Sequence, residues 1–179
     1  MSKFKTVLLD PPWNERGGGK IKRGADKHYE LLKTPDIIRV VLQSECWNKL
    51  EDNAHMYLWT TNNHLEDALY VMKSLGFRYV TNIVWVKDRI GLGQYARGKH
   101  ELLLFGTRGT KHTTVKKQNN SLASVIEAKR SKHSKKPEAS FEWIENRSHG
   151  PYLELFSRDE REGWTVWGKE VNKQASPDV

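Results

Sequence analysis

The sequence predicts an α/β fold built on a mainly parallel sheet with helices on both faces. Strand patterns alternate with helical ones along the chain, and most strand runs are continuously apolar, as strands buried on both faces must be. Length adds a third constraint, because 179 residues suit one domain with a real core. The whole chain, 1–179, is therefore read as a single domain.

Lys5-Thr6-Val7-Leu8-Leu9 is an apolar, β-branched run that stops at Asp10-Pro11-Pro12-Trp13, where the prolines cannot continue a ladder. It is a strand that delivers a carboxylate to its carboxyl end. Residues 14–28 hold Gly17-Gly18-Gly19 and Arg16, Lys20, Lys22, Arg23 and Lys27, with little that is apolar, and predict a mobile basic loop. Thr34-Pro35 reads as an N-cap and first turn, followed by Ile37, Ile38, Val41, Leu42 and Cys46 at helical spacing. Met56 to Thr60 predicts a buried strand. Asn63 then caps a second helix with the stripe Leu65, Ala68, Leu69, Met72 and Leu75, closed by Gly76.

Val80 to Val86 and Glu101 to Phe105 supply two more strands, with Gly91-Leu92-Gly93 as a turn between them. Residues 108–136 turn polar and basic, with Lys129, Arg130, Lys132, Lys135 and Lys136, and predict a surface insertion. Pro137 opens a third helix carrying Phe141, Trp143 and Ile144. Tyr152 to Phe156 and Trp164 to Trp167 are the last strands.

Composition narrows function. A formal charge of +8 favours a polyanionic partner, since cations that neutralise phosphates release counterions. No apolar run reaches membrane-spanning length and none near Met1 resembles a signal, so a cytoplasmic protein without a membrane role is expected. Cys46 is the one cysteine and the seven histidines are scattered, so no metal is expected. Gly17-Gly18-Gly19-Lys20 lacks the ending of a phosphate-cradling loop.

The chemistry-bearing string is Asp10-Pro11-Pro12-Trp13. In open α/β sheets ligands bind beyond the carboxyl ends of strands, and this string lies at such an end. A carboxylate and a neighbouring backbone carbonyl, held rigid by two prolines, suit the exocyclic amine of adenine. That amine is a poor nucleophile until its hydrogens are accepted and its lone pair is localised. Trp13 can stack on a base flipped out of a duplex or presented on a single strand. The plainer reading has Asp10 capping a turn and Trp13 in the core.

With this string the chain resembles the adenine-N6 methyltransferases that carry a DPPW motif. That family includes the catalytic subunit of the mRNA adenosine methyltransferase and many phage and bacterial DNA methyltransferases. Further similar stretches are Tyr57-Leu58-Trp59-Thr60, Gly76-Phe77, Trp85-Val86-Lys87, His133-Ser134-Lys135-Lys136-Pro137-Glu138, Glu154-Leu155-Phe156-Ser157-Arg158, Gly163-Trp164 and Trp167-Gly168. Departures are Lys169-Glu170 after the last of these and Asp159-Glu160-Arg161 after Arg158.

The resemblance implies a Rossmann-like methyltransferase fold with permuted motif order, the catalytic strand first and the cofactor strand near the end. It implies S-adenosylmethionine as cofactor and methylation of adenine N6 in DNA. The catalytic residues are then Asp10, Pro11, Pro12 and Trp13. The cofactor would be met by Asp10, Lys136, Pro137, Glu154, Phe156 and Arg158, with Lys136 on the methionyl carboxylate and Arg158 near the ribose. Trp13, Tyr29, Lys20, Lys22 and Arg23 would meet the nucleic acid. A homo- or heterodimer fits the family. The alternatives are the same chemistry on RNA, a non-catalytic nucleic-acid-binding subunit, and methylation of a protein or small-molecule amine. The positive charge speaks against the last of these.

Overall fold

The computed structural model describes residues 3–14, 32–91, 93, 95–109, 121–131 and 135–168. Seven strands form one sheet: β1 (Phe4–Leu9), β2 (Leu50–Thr60), β3 (Arg78–Val86), β4 (His100–Arg108), β5 (Val125–Glu127), β6 (Tyr152–Leu155) and β7 (Trp164–Trp167). The helices are α1 (Thr34–Gln43), α2 (Leu65–Ser74) and α3 (Glu138–Arg147). Strand order is β5-β3-β4-β2-β1-β6-β7. β1 pairs in parallel with β2 and β6, β6 with β7, and β3 with β5, while β4 runs antiparallel to both β2 and β3. Among the described strands β4 alone opposes the others. The fold is a Rossmann-like α/β sheet of the expected class.

Side chains alternate across a strand, so a continuously apolar strand feeds two cores. Leu9, Leu58, Leu102 and Leu104 pack with Ile37, Val41, Ala68 and Met72 of α1 and α2. Leu8, Tyr57, Trp59, Leu103 and Phe105 pack with Phe141 and Ile144 of α3. Each fully buried Leu or Ile among them contributes about 1.5–3 kcal/mol, and the two faces together clamp the sheet. No helix among the described residues is long and apolar enough to cross a membrane.

Several local expectations need correction. Thr34 lies inside α1 and does not cap it; Lys33 is the extended N-cap residue, and the Thr34 hydroxyl donates to Asp67 Oδ1 at 2.9 Å, tying α1 to α2. The first helix ends at Gln43, where Ser44 returns to extended backbone, so Cys46 lies beyond it and Leu42 is exposed. Asn63 sits in a single 3-10 turn before α2, whose N-cap residue His64 makes no side-chain cap. In α2 the buried stripe takes Val71 and leaves Leu69 outside.

Gly76 does close α2, with φ +83°, as Phe77 N–H reaches Met72 O and Gly76 N–H reaches Lys73 O. The insertion at 108–136 is not all surface loop. Ser124 O accepts Val84 N–H, and β5 follows on the sheet edge with Ile126 buried beneath it. Residues 110–120 and 132–134 of that stretch lie outside the described residues.

Candidate active site

Because six strands share one direction, their carboxyl ends share one edge of the sheet, and the antiparallel β4 brings its own beginning to that edge. Asp10 follows β1 there; its N–H still reaches Leu155 O at 3.4 Å, after which Pro11 and Pro12 have no N–H to extend the ladder. The turn is pinned twice, by Trp13 N–H to Pro11 O and by Leu32 N–H to Pro12 O, both at 2.9 Å.

Strand parity decides which side chains meet. Leu8 belongs to the α3-side core, so Asp10, two residues on, projects to the same face. The same rule carries Glu101 with Leu103 and Lys87 with Trp85. Lys136 enters from the other layer, one residue before Pro137, the N-cap residue of α3.

These four side chains form a row of alternating charge. Lys136 Nζ lies 3.0 Å from Asp10 Oδ1 and 3.3 Å from Glu101 Oε2, and Lys87 Nζ lies 2.5 Å from Glu101 Oε1. The lysines rest on aromatic faces, Lys136 5.4 Å from the Trp59 ring centre and Lys87 5.0 Å from that of Trp85. Burial lowers the tendency of Lys136 to carry charge, but the Asp10 and Glu101 carboxylates outweigh it and hold the ammonium above the ordinary lysine range. Burial likewise pushes Glu101 up, and the Lys136 and Lys87 charges hold it below the usual carboxylate range.

Glu154 stands beside Leu8 on β6 and is pushed up to about 7, first by burial and then by the Asp10 charge. In the unfolded chain the same carboxyl titrates near 4.5. Between these values the folded state binds more protons than the unfolded one, so stability falls as pH rises through the window and is unaffected below it. Glu154→Gln, which cannot ionise, is therefore expected to raise the melting temperature relative to native more at about pH 8 than at about pH 4. An equal difference at both values would remove this account.

Trp13 leaves the Asp10 face. Its indole N–H donates to Trp59 O at 3.0 Å, and its ring stacks on His64 with centres 5.6 Å apart and planes 13° apart. Trp13, Leu32, Thr34, His64, Asp67 and Tyr70 are among the residues that wall a cavity of about 430 Å³. On the opposite side of β1, Phe156 adopts φ +66° at the end of β6, its ring edge-on to Trp167. Ser157 N–H donates to Trp167 O at 3.1 Å. A Cβ at Gly168 would stand 2.0 Å from Ser157 O, so the two chain ends approach as only glycine permits. Arg158 follows, half-buried.

The structure thus brings Asp10 and Lys136 into direct contact, with Pro137 capping the helix behind Lys136. It sets Glu154, Phe156 and Arg158 along the adjacent strand end, and Pro11, Pro12 and Trp13 in the turn. Tyr29, Lys20, Lys22 and Arg23 lie outside the described residues. Sequence reasoning missed Glu101 and Lys87 as members of the site. The available signal was a carboxylate opening an apolar strand, which gains meaning only once β4 is known to run antiparallel.

A family model described as MT-A70 matches residues 4–170. The Type II methyltransferase M.MunI of Mycoplasma sp is 26% identical over 186 residues, covering 94% of this chain and 78% of that protein. The N(6)-adenosine-methyltransferase MT-A70-like protein of Arabidopsis thaliana is 25% identical over 180 residues, covering 94% and 24%. The human N(6)-adenosine-methyltransferase catalytic subunit METTL3 is 27% identical over 188 residues, covering 96% and 29%. The chain spans most of the first relative and about a quarter of the other two.

Proposed function

The chain belongs to the MT-A70 family, and from that premise we propose that it transfers the methyl group of S-adenosylmethionine to the N6 amine of adenine in DNA. The observation that carries this reading is the Asp10 carboxylate, fixed by a doubly pinned Pro-Pro turn at the carboxyl end of β1. From β1 the sheet continues to β2 on one side and to β6 on the other, and ligands of such sheets bind at that divide.

The donor set suits the cofactor. An ammonium has three N–H donors, and among the described residues two carboxylates engage Lys136, which leaves a third N–H for the methionyl carboxylate. Glu154 and Arg158 offer partners for ribose hydroxyls, and Phe156 an apolar wall. When bound, S-adenosylmethionine supplies a methyl group already activated by a sulfonium. Asp10 then accepts an amino hydrogen and orients the nitrogen lone pair, with a carbonyl of the pinned turn as the second acceptor. Both Pro11 and Pro12 carbonyls keep a lone pair beyond the one they use.

Lys20, Lys22, Arg23 and Tyr29 are proposed to meet the nucleic acid from the segment between Trp13 and Leu32. Support for DNA is the proportion shared with the bacterial relative, 78% of its length against 29% of METTL3. A scaffold role has no use for a carboxylate held in this way.

The test is transfer of labelled methyl to mixed-sequence DNA and RNA, with the modified base identified after digestion. Labelled N6-methyladenine from DNA is expected. Product from RNA alone would reverse the choice of polymer, and none from either, by protein that binds the cofactor, would overturn the reading.

A further inference from the structure

We propose that Glu101 is a positioning residue for the transfer, holding the Lys136 ammonium against one oxygen of Asp10 and thereby fixing the carboxylate that receives the amine. The inference rests on the reading of Asp10 given above. Its basis is the continuity of the row Lys87, Glu101, Lys136, Asp10, in which each neighbouring pair is of opposite sign and within ion-pair distance. The first three side chains are largely buried, at 17%, 15% and 13% exposure, so their charges are weakly screened.

A structural pair would be complete with Lys87 and Glu101 alone. The second oxygen of Glu101 instead reaches Lys136, which is the residue that touches Asp10. Sharing matters because Lys136 contacts Asp10 through Oδ1, leaving Oδ2 as an acceptor for the amine. Without Glu101 the ammonium has one counter-charge and closes on both oxygens.

The groups around Lys136 set its titration: Asp10 just after β1, Glu101 from β4, and the Trp59 ring from β2. Lys87, just after β3, acts through Glu101, and Glu154 from β6 lies beside Asp10. Glu101 is one of the two charges that keep Lys136 above its ordinary range. Its removal lowers the pH at which the ammonium gives up its proton.

Steady-state kinetics and pH-rate profiles of the full chain test this with Glu101→Gln and Glu101→Asp, melting curves confirming that each folds. For Glu101→Gln a kcat lower by roughly 10- to 100-fold is expected, as for a slightly misplaced catalytic group, with oligonucleotide KM within about twofold. The alkaline limb of the kcat profile moves to lower pH. Glu101→Asp keeps the charge at a longer reach and falls between Glu101→Gln and native in both measures.

A native kcat in Glu101→Gln, or a reduced kcat with an unmoved limb, overturns the proposal. Should Glu101→Gln fail to fold, Glu101→Asp decides it: native kcat and limb count against, a reduced kcat with a lowered limb counts for. If the native chain methylates no adenine at all, the reading of Asp10 falls and this one falls with it. An active native chain with an unmoved variant profile sinks Glu101 alone.

Discussion

Asp10→Asn lowers methyl transfer by roughly 10²- to 10³-fold, the usual loss when one preorganised electrostatic partner is removed from a reacting centre. The substitution keeps the volume but replaces an acceptor-only carboxylate with an amide whose nitrogen only donates. Two consequences follow at once. The amine loses its charged acceptor, and Lys136, 3.0 Å away, loses one of its two counter-charges. Nucleic-acid affinity stays near native, because phosphate contacts dominate it. Initial rates of label incorporation, with binding measured in parallel, check both halves. A variant within about threefold of native would show that Asp10 is not the acceptor.

Trp59→Ala costs about 3–5 kcal/mol of stability, the range for deleting a large buried aromatic, out of a total of about 5–15 kcal/mol for a domain. Trp59 is 1% exposed at the end of β2, meets Trp85 edge-to-face at 6.1 Å and carries the Lys136 ammonium on its ring. Its removal opens a cavity directly beneath the charged row. Trp59→Phe costs much less, since the indole Nε1 has no hydrogen-bond partner among the described residues and an aromatic face survives for the cation. Urea denaturation of both variants measures the difference. Equal losses would mean that the indole ring itself, and not the aromatic floor, is what the site requires.

What the sequence made legible follows from periodicity and turn chemistry. β1, β6 and β7 are apolar runs ended by Pro-Pro, by Phe156 with Ser157, and by Gly168, and they stand close to where those patterns place them. Asp10 and Lys136 lie 126 positions apart, and only the family resemblance paired them in function; their contact is a product of the fold. β5 escaped because three residues, Val125, Ile126 and Glu127, lie in a basic stretch and are strand only because β3 offers an edge. Caps escaped for a different reason. Thr34 has the chemistry of a cap, but Asp67 offers its hydroxyl a partner on another helix. Strand direction is invisible to hydropathy, and so therefore was Glu101.

That same reversal of β4 has an effect on how the protein can change. The chain leaves the sheet after β3 and re-enters it in β4 on the same edge, stapled by Val86 opposite His100 and by Lys87 N–H to Lys99 O at 2.8 Å. Among its described residues Gly91 N–H joins Gly98 O, and Arg89, Ile90 and Tyr95 turn to solvent. Such a tip can change in sequence without disturbing the ladder that flanks it. Changes between Asp88 and Gly98 leave the register that seats Glu101 and Lys87 as it is.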